Sequence, residues 1–170
     1  AIAFNEADQY VYGFNKQKLA LARFDSDFKA TTLNFTNPPS NNFYVGDIFD
    51  NTYYMYRKGL GFFKTNLDPN AANYLTINKV SGASQSIGIA DFAFHPSDGN
   101  IYAVESNSGN LYRFDRDTGV ATFVTYSGVK ASGSHFGAAY FVNQYFNFGN
   151  NKKTLRNSTY TSLRAFYPKN

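Results

Sequence analysis

Two aspartates stand at matching places in the chain, each before an apolar run: Asp47 in Gly46-Asp47-Ile48-Phe49 and Asp91 in Ala90-Asp91-Phe92-Ala93-Phe94. Inward-facing carboxylates of this kind would hold a cation or accept hydrogen bonds from sugar hydroxyls. They could equally cap backbone amides between neighbouring structural units. Asp25-Ser26-Asp27 and Asp115-Arg116-Asp117 bring two further carboxylates close together. Such pairs suit a hard cation, and calcium is the ion they would take. They lack the additional acidic ligands and closing Glu of a calcium loop. Asp also opens tight turns by bonding the backbone nearby, and a turn inside a repeat would recur as these do.

A second candidate is aromatic. Tyr53, Tyr54, Tyr56, Phe62 and Phe63 surround Arg57 and Lys58. Rings stack on sugars, and rings with cations bind single-stranded nucleic acid. The basic residues form no dense stripe, so sugar is the better ligand class and nucleic acid is not expected. In alternating strands the same rings would pack between neighbouring units.

Catalytic chemistry has little to stand on. His95 and His135 have no convergent acid–base partner and no closely spaced metal ligands. Ser132-Gly133-Ser134-His135 is not a nucleophile elbow, and Gly59-Leu60-Gly61 is not a phosphate loop. No catalytic residue and no cofactor are expected.

The elements that must position these residues are strands. Of 170 residues, 18 are Phe and 14 are Tyr, whereas Met55 is the single Met and Glu6 and Glu105 are the only Glu. Such chains favour strands over helices. Asn is frequent and sits mostly beside Gly, Pro, Ser, Asp or another Asn. It tolerates left-handed backbone and closes its own turns, so many short strands joined by tight turns are expected.

Those strands repeat. Residues 1–33 align without a gap on residues 91–123, with ten identities that include Phe4/Phe94, Asp8/Asp98, Tyr12/Tyr102, Leu21/Leu111 and Asp25/Asp115. Each copy reads as a meander of four strands: residues 91–95, 100–104, 111–115 and 120–125 in the later one. The 90-residue offset is twice a unit of about 45, and Gly46–Phe49, Tyr53–Tyr56, Gly61–Asn66 and Tyr74–Ile77 form the intermediate copy. Its inner turn falls at Asn51-Thr52. A fourth copy starts at Phe136. The expected architecture is all-β, a β-propeller-type repeat of about four four-stranded antiparallel blades, with units 1–45, 46–90, 91–135 and 136–170. A partial propeller completed by another chain, or another antiparallel β repeat, are the alternatives.

Charge and composition narrow the setting. All twelve acids lie at or before Asp117, whereas six basic residues and no acid follow it. An anionic partner, an acidic neighbouring subunit or a polysaccharide surface would complement that end. There is no Cys, so neither a disulfide framework nor a thiolate metal site can form. No apolar run is long enough to span a membrane as a helix. The chain opens at Ala1 and reads as a processed product or as part of something longer.

Taken in order, Ala1-Ile-Ala-Phe-Asn5, Asp8, Tyr10-Val-Tyr-Gly13, Gly46-Asp47, Ala90-Asp-Phe-Ala-Phe94, Asp98-Gly-Asn-Ile-Tyr102, Leu111-Tyr-Arg-Phe-Asp115, Thr118-Gly119 and Phe136-Gly-Ala-Ala-Tyr140 resemble a bacterial propeller-like repeat domain of unknown function. That domain occurs in large secreted and surface proteins. The resemblance implies a propeller fold and an extracellular or cell-surface location, and no established chemistry. The leading functional expectation is therefore a non-enzymatic structural, adhesive or assembly module working through protein–protein contacts or self-assembly. A glycan-binding propeller is the alternative. A metal-dependent propeller hydrolase or lyase is the third.

Overall fold

The computed structural model describes residues 2–80, 86–95 and 97–126, and these form strands, turns and connectors without a helix. Blade 1 comprises β1 (Ile2–Asn5), β2 (Tyr10–Asn15), β3 (Ala20–Phe24) and β4 (Ala30–Leu33). Blade 2 comprises β5 (Val45–Phe49), β6 (Thr52–Arg57), β7 (Gly61–Asn66) and β8 (Ile77–Lys79). Blade 3 comprises β9 (Ile89–Phe94), β10 (Ile101–Glu105), β11 (Asn110–Phe114) and β12 (Ala121–Tyr126). Each blade is an antiparallel meander in chain order, as its short connections require. The first strands lie side by side in the order β1, β5, β9 and set the blades in a fan. The expected fourth unit, with His135 and the basic C-terminal stretch, lies outside the described residues.

Alternation along the strands gives every blade two faces. In blade 1, Ala3, Tyr12, Phe14 and Leu21 point forward, toward blade 2. They meet the rear face of blade 2, where Tyr53, Met55 and Ile77 are buried. The forward face of blade 2 carries Val45, Tyr54, Tyr56 and Phe62, which pack on Phe92, Phe94, Ile101 and Phe114 of blade 3. The hydrophobic core is thus two seams between blades, filled largely by rings. Phe62 lies 5.3 Å from Phe92 and 5.2 Å from Phe114, and Tyr54 lies 4.9 Å from Phe94. Edge-to-face pairs at these distances add about 0.5–1.5 kcal/mol each to the area they bury.

Two details of blade 2 depart from the sequence expectation. The inner hairpin turns at Asp50-Asn51, not Asn51-Thr52, and both turn residues have φ near +50°. Two successive left-handed residues make the turn whose twist matches a hairpin, and Asp and Asn tolerate it. The outer strand begins at Ile77 instead of Tyr74. Leu75 adopts φ +54°, which breaks extended backbone just before it. The connector to this blade supplies the missing order: Asn37 donates from Nδ2 to the Ile77 carbonyl at 2.8 Å and accepts the Ile77 N–H on Oδ1 at 2.7 Å.

Candidate functional site

Asp47 and Asp91 lie within β5 and β9, not ahead of them. Asp47 pairs with Tyr54 and so shares the forward face of blade 2. One carboxylate oxygen accepts the Ile48 N–H at 2.8 Å, and the other accepts the Phe94 N–H of blade 3 at 3.3 Å. Phe94 lies on the innermost strand of its blade, so its outward amide finds no partner in a sheet. The capping reading therefore describes Asp47. Burial pushes its carboxyl up to about 7, against the pull of those two amides, with a smaller push from the charge of Asp91. Asp91 repeats the local half of the arrangement, accepting the Phe92 N–H at 2.9 Å.

The seam between blades 1 and 2 uses other groups. Asn5, buried at the end of β1, donates from Nδ2 to Oδ1 of Asn51 at 2.7 Å. Tyr53 is fully buried, and its hydroxyl takes a hydrogen bond from the Phe14 backbone. Burial, then the charge of Asp47, raises the Tyr53 phenol. The ring crosses β5 where Gly46 sits: a Cβ there would lie 2.6 Å from Tyr53 Oη and 2.9 Å from the Tyr54 carbonyl oxygen.

The aromatic candidates are core residues. Tyr53, Tyr54, Tyr56 and Phe62 are at most 5% exposed, and the Tyr56 hydroxyl donates to the Ile87 carbonyl at 2.6 Å. Their rings occupy the seams, which corrects the expectation of a sugar-stacking surface built from them. The reason is alternation: in β6, Tyr53 and Met55 fill one seam while Tyr54 and Tyr56 fill the other. Arg57 is the accessible member. It sits 5.5 Å from the ring of exposed Tyr44 and donates to the carbonyl and side-chain oxygens of Asn42.

The close carboxylate pairs serve turns. Asp25 Oδ1 accepts the amides of Asp27 and Lys29 at 3.0 and 2.8 Å. Asp115 Oδ1 accepts the amide and hydroxyl of Thr118, both at 2.8 Å, and these hold its carboxyl below the usual range. A second recurring pair closes the preceding hairpin: the Tyr12 hydroxyl donates to Asp8 at 2.6 Å, and Tyr102 to Asp98 at 3.0 Å. His95 lies beside Asp98, Nδ1 to Oδ1 at 3.6 Å. Among the described residues no three His, Asp or Glu side chains converge as metal ligands.

One surface went unread in the sequence. The repeat places Ile2, Phe4, Val11 and Phe24 where blade 3 has Phe92, Phe94, Ile101 and Phe114. The blade 3 residues are at most 3% exposed, because blade 2 covers that rear face. In blade 1 the same face has no described neighbour: Ile2 is 73% exposed, Phe4 is 45% exposed, and Val11 and Phe24 are half-buried. The aligned pairs carried the signal, since equal apolar character at equal positions predicts an equal covering.

The four-stranded meanders, their ring-filled seams and their adjacent first strands define an all-β, propeller-type repeat protein. The chain belongs to the family described as a repeat of unknown function, DUF6923, which matches residues 1–159. No curated protein matches it in sequence. Among solved structures, it is similar to a structural genomics protein of unknown function from Bacteroides thetaiotaomicron VPI-5482 (TM-score 0.56, 16% identity, over 72% of this chain and 32% of that one). It is also similar to virginiamycin B lyase from Staphylococcus aureus (TM-score 0.54, 14% identity, 81% and 44%). A streptogramin B lyase gives TM-score 0.51 at 11% identity, again over 81% and 44%. The likeness is one of fold, and the matched region spans less than half of each of these chains.

Proposed function

We propose that the protein is a non-enzymatic assembly module of an extracellular or cell-surface structure, and that it acts through protein–protein contacts at the rear face of blade 1. The carrying observation is the contrast between Phe4, 45% exposed, and its repeat mate Phe94, 3% exposed. A sheet face of that composition is stable against another apolar blade, and a large exposed apolar patch marks a contact site. The side chains with chemical potential are already engaged: Asp47 in a seam, Asp25 and Asp115 in turns, the tyrosines of β6 in the core. Resemblance to domains of large secreted and surface proteins supports the location.

A photo-reactive residue in place of Ile2, introduced in the source cells, tests both parts. The expected result is a protein crosslink at position 2, none from a control at exposed Phe28, and antibody access on intact cells. An uncrosslinked position 2, or an epitope reached only after lysis, would overturn the reading.

A further inference from the structure

We infer that the end of the fan formed by the β2–β3 and β6–β7 turns binds a carboxylate-bearing polysaccharide, held by Arg57 and Tyr44. This goes beyond the assembly reading above and uses a different surface.

Strand direction defines that end. β1 and β5 lie side by side, and Asn5 at the end of β1 reaches Asn51 in the turn after β5. The turns after first and third strands therefore share one end, and the turns after second strands share the other. Acids crowd the first end, where Asp8, Asp25, Asp98 and Asp115 cap the turns. The second end carries Lys16 and Lys18 in the β2–β3 turn, Arg57 and Lys58 where β6 turns into β7, and Lys79 at the close of β8. Glu105 is the only acid there among the described residues, and its carboxylate accepts the Ser108 hydroxyl. None of the five cations has an ion pair with a described residue, whereas Lys64 and Arg116 both pair with Asp117. A cluster of unpaired cations attracts an anionic partner.

Phe43 gathers this charge around one spot. Its ring meets Phe14, two residues before Lys16, at 5.4 Å. It also meets Phe63 at 5.1 Å, and the Lys79 ammonium lies 5.9 Å from that second ring. Tyr44 follows Phe43 in the chain, stands beside Arg57 and is 57% exposed.

Arg57 is fixed in place yet open on one edge. Its Nη1 donates to both oxygens of Asn42, which sets the plane of the guanidinium. Its Nε and Nη2 have no hydrogen-bond acceptor among the described residues. A carboxylate takes two parallel N–H bonds from such an edge. A sugar ring bearing that carboxylate would stack on Tyr44, whose centroid is 5.5 Å from the guanidinium carbon. The blade itself does not call for this arginine, since the second strands of blades 1 and 3 end on Asn15 and Glu105. Single-stranded nucleic acid would need successive stacking rings, and a lipid surface would need exposed aliphatic anchors. In these turns and in residues 38–44, Tyr44 is the only exposed large apolar side chain among the described residues.

The test is binding of the purified full chain to polygalacturonate at physiological salt. The comparison ligands are the same polymer with its carboxylates methyl-esterified, oligothymidylate, and phosphatidylglycerol vesicles. Polygalacturonate is expected to bind about tenfold more tightly than each, since it alone offers both a carboxylate and a sugar ring. Arg57→Lys keeps the charge and loses the fork, and should weaken binding about tenfold. It shares every general attraction, including that of the six basic residues after Asp117, and so separates the fork from the charge. Tyr44→Ala should weaken binding about as much, through loss of the ring. Lys29→Gln, at the acidic end, should change nothing. Thermal melts confirm that the variants fold; should Arg57→Lys melt early, Tyr44→Ala decides. Absence of binding to polygalacturonate, equal binding of the esterified polymer, or a folded variant at position 44 or 57 that binds as wild type would each overturn the proposal. Preference for oligothymidylate or for vesicles would also overturn it, and would reassign this end to nucleic acid or to a lipid surface. Crosslinking at position 2 is independent of all these outcomes, so the assembly reading stands or falls separately.

Discussion

The carboxylate of Asp47 in blade 2 accepts the backbone N–H of Phe94 in blade 3 at 3.3 Å. This bond joins two sheets that also meet through packed rings and the Lys64–Asp117 ion pair at 3.6 Å, and the burial of the Asp47 carboxyl sets the pH response of the seam. The Asp47 carboxyl titrates near 7 in the folded chain against about 3.9 in an unfolded one. The folded state therefore holds this proton more tightly. The stability it contributes is complete below about pH 4 and is lost as pH rises toward 7, on the order of 2–4 kcal/mol in all. Denaturant midpoints across this window should fall in the wild type and stay nearly level in Asp47→Asn. Asp115, whose carboxyl lies below the usual range, acts with the opposite sign and only at more acidic pH.

Gly46 should not tolerate a side chain. The hydroxyl and ring of Tyr53 and the Tyr54 carbonyl would all lie within 3 Å of an added Cβ. Gly46→Ala is expected to cost about 2–3 kcal/mol in equilibrium unfolding. Tyr53→Phe in that background should recover only part of the loss, because the backbone oxygen cannot move aside. Full recovery would mean that the hydroxyl alone sets the limit.

Blade 1 should gain stability from glycine. Gln9 and Leu19 have φ of +65° and +50°, and their repeat mates Gly99 and Gly109 have +64° and +76°. Left-handed backbone costs a non-glycine residue about 1–2 kcal/mol, partly offset by the greater freedom of unfolded glycine. Gln9→Gly and Leu19→Gly should each raise stability by about 0.5–1 kcal/mol, seen as a higher melting temperature.

The recurring Asp–Tyr pair should be unequal in the two blades. Tyr12 is 2% exposed, and burial followed by its bond to Asp8 raises its phenol; Tyr102 is half-buried. Tyr12→Phe leaves Asp8 short of a partner beside a core, at a cost of about 1–2 kcal/mol. Tyr102→Phe should cost less than about 0.5 kcal/mol, because water can replace the lost bond. Equal costs would place the pair's value in the turn and not in the seam.

The strand meander was legible in the sequence because turn chemistry punctuates it. Asp8, Asp25, Asp98 and Asp115 each accept amides from their own turns, as Asp in such turns does. The gapless match of residues 1–33 to 91–123 carried the register of blades 1 and 3. Blade 2 was harder, since its turn at Asp50-Asn51 and the break at Leu75 depend on left-handed residues without glycine. The sequence leaves the aromatic cluster open between a sugar-stacking surface and packing between units, for a related reason. Alternation says that Tyr53 and Tyr54 point opposite ways, and only the neighbouring blades show that both directions are interior.

Neighbour-only packing has a mechanical consequence. In a linear array each unit is held by its adjoining contacts alone, so resistance to opening is set locally. Blade 2 is gripped from both sides, through Tyr53 on one and Asp47 with Tyr54 on the other. Blade 1 is gripped within the described chain only by blade 2. Pulled from its N-terminal end, the protein should peel: blade 1 gives way first at low force, and blade 2 outlasts it as the keystone of the fan.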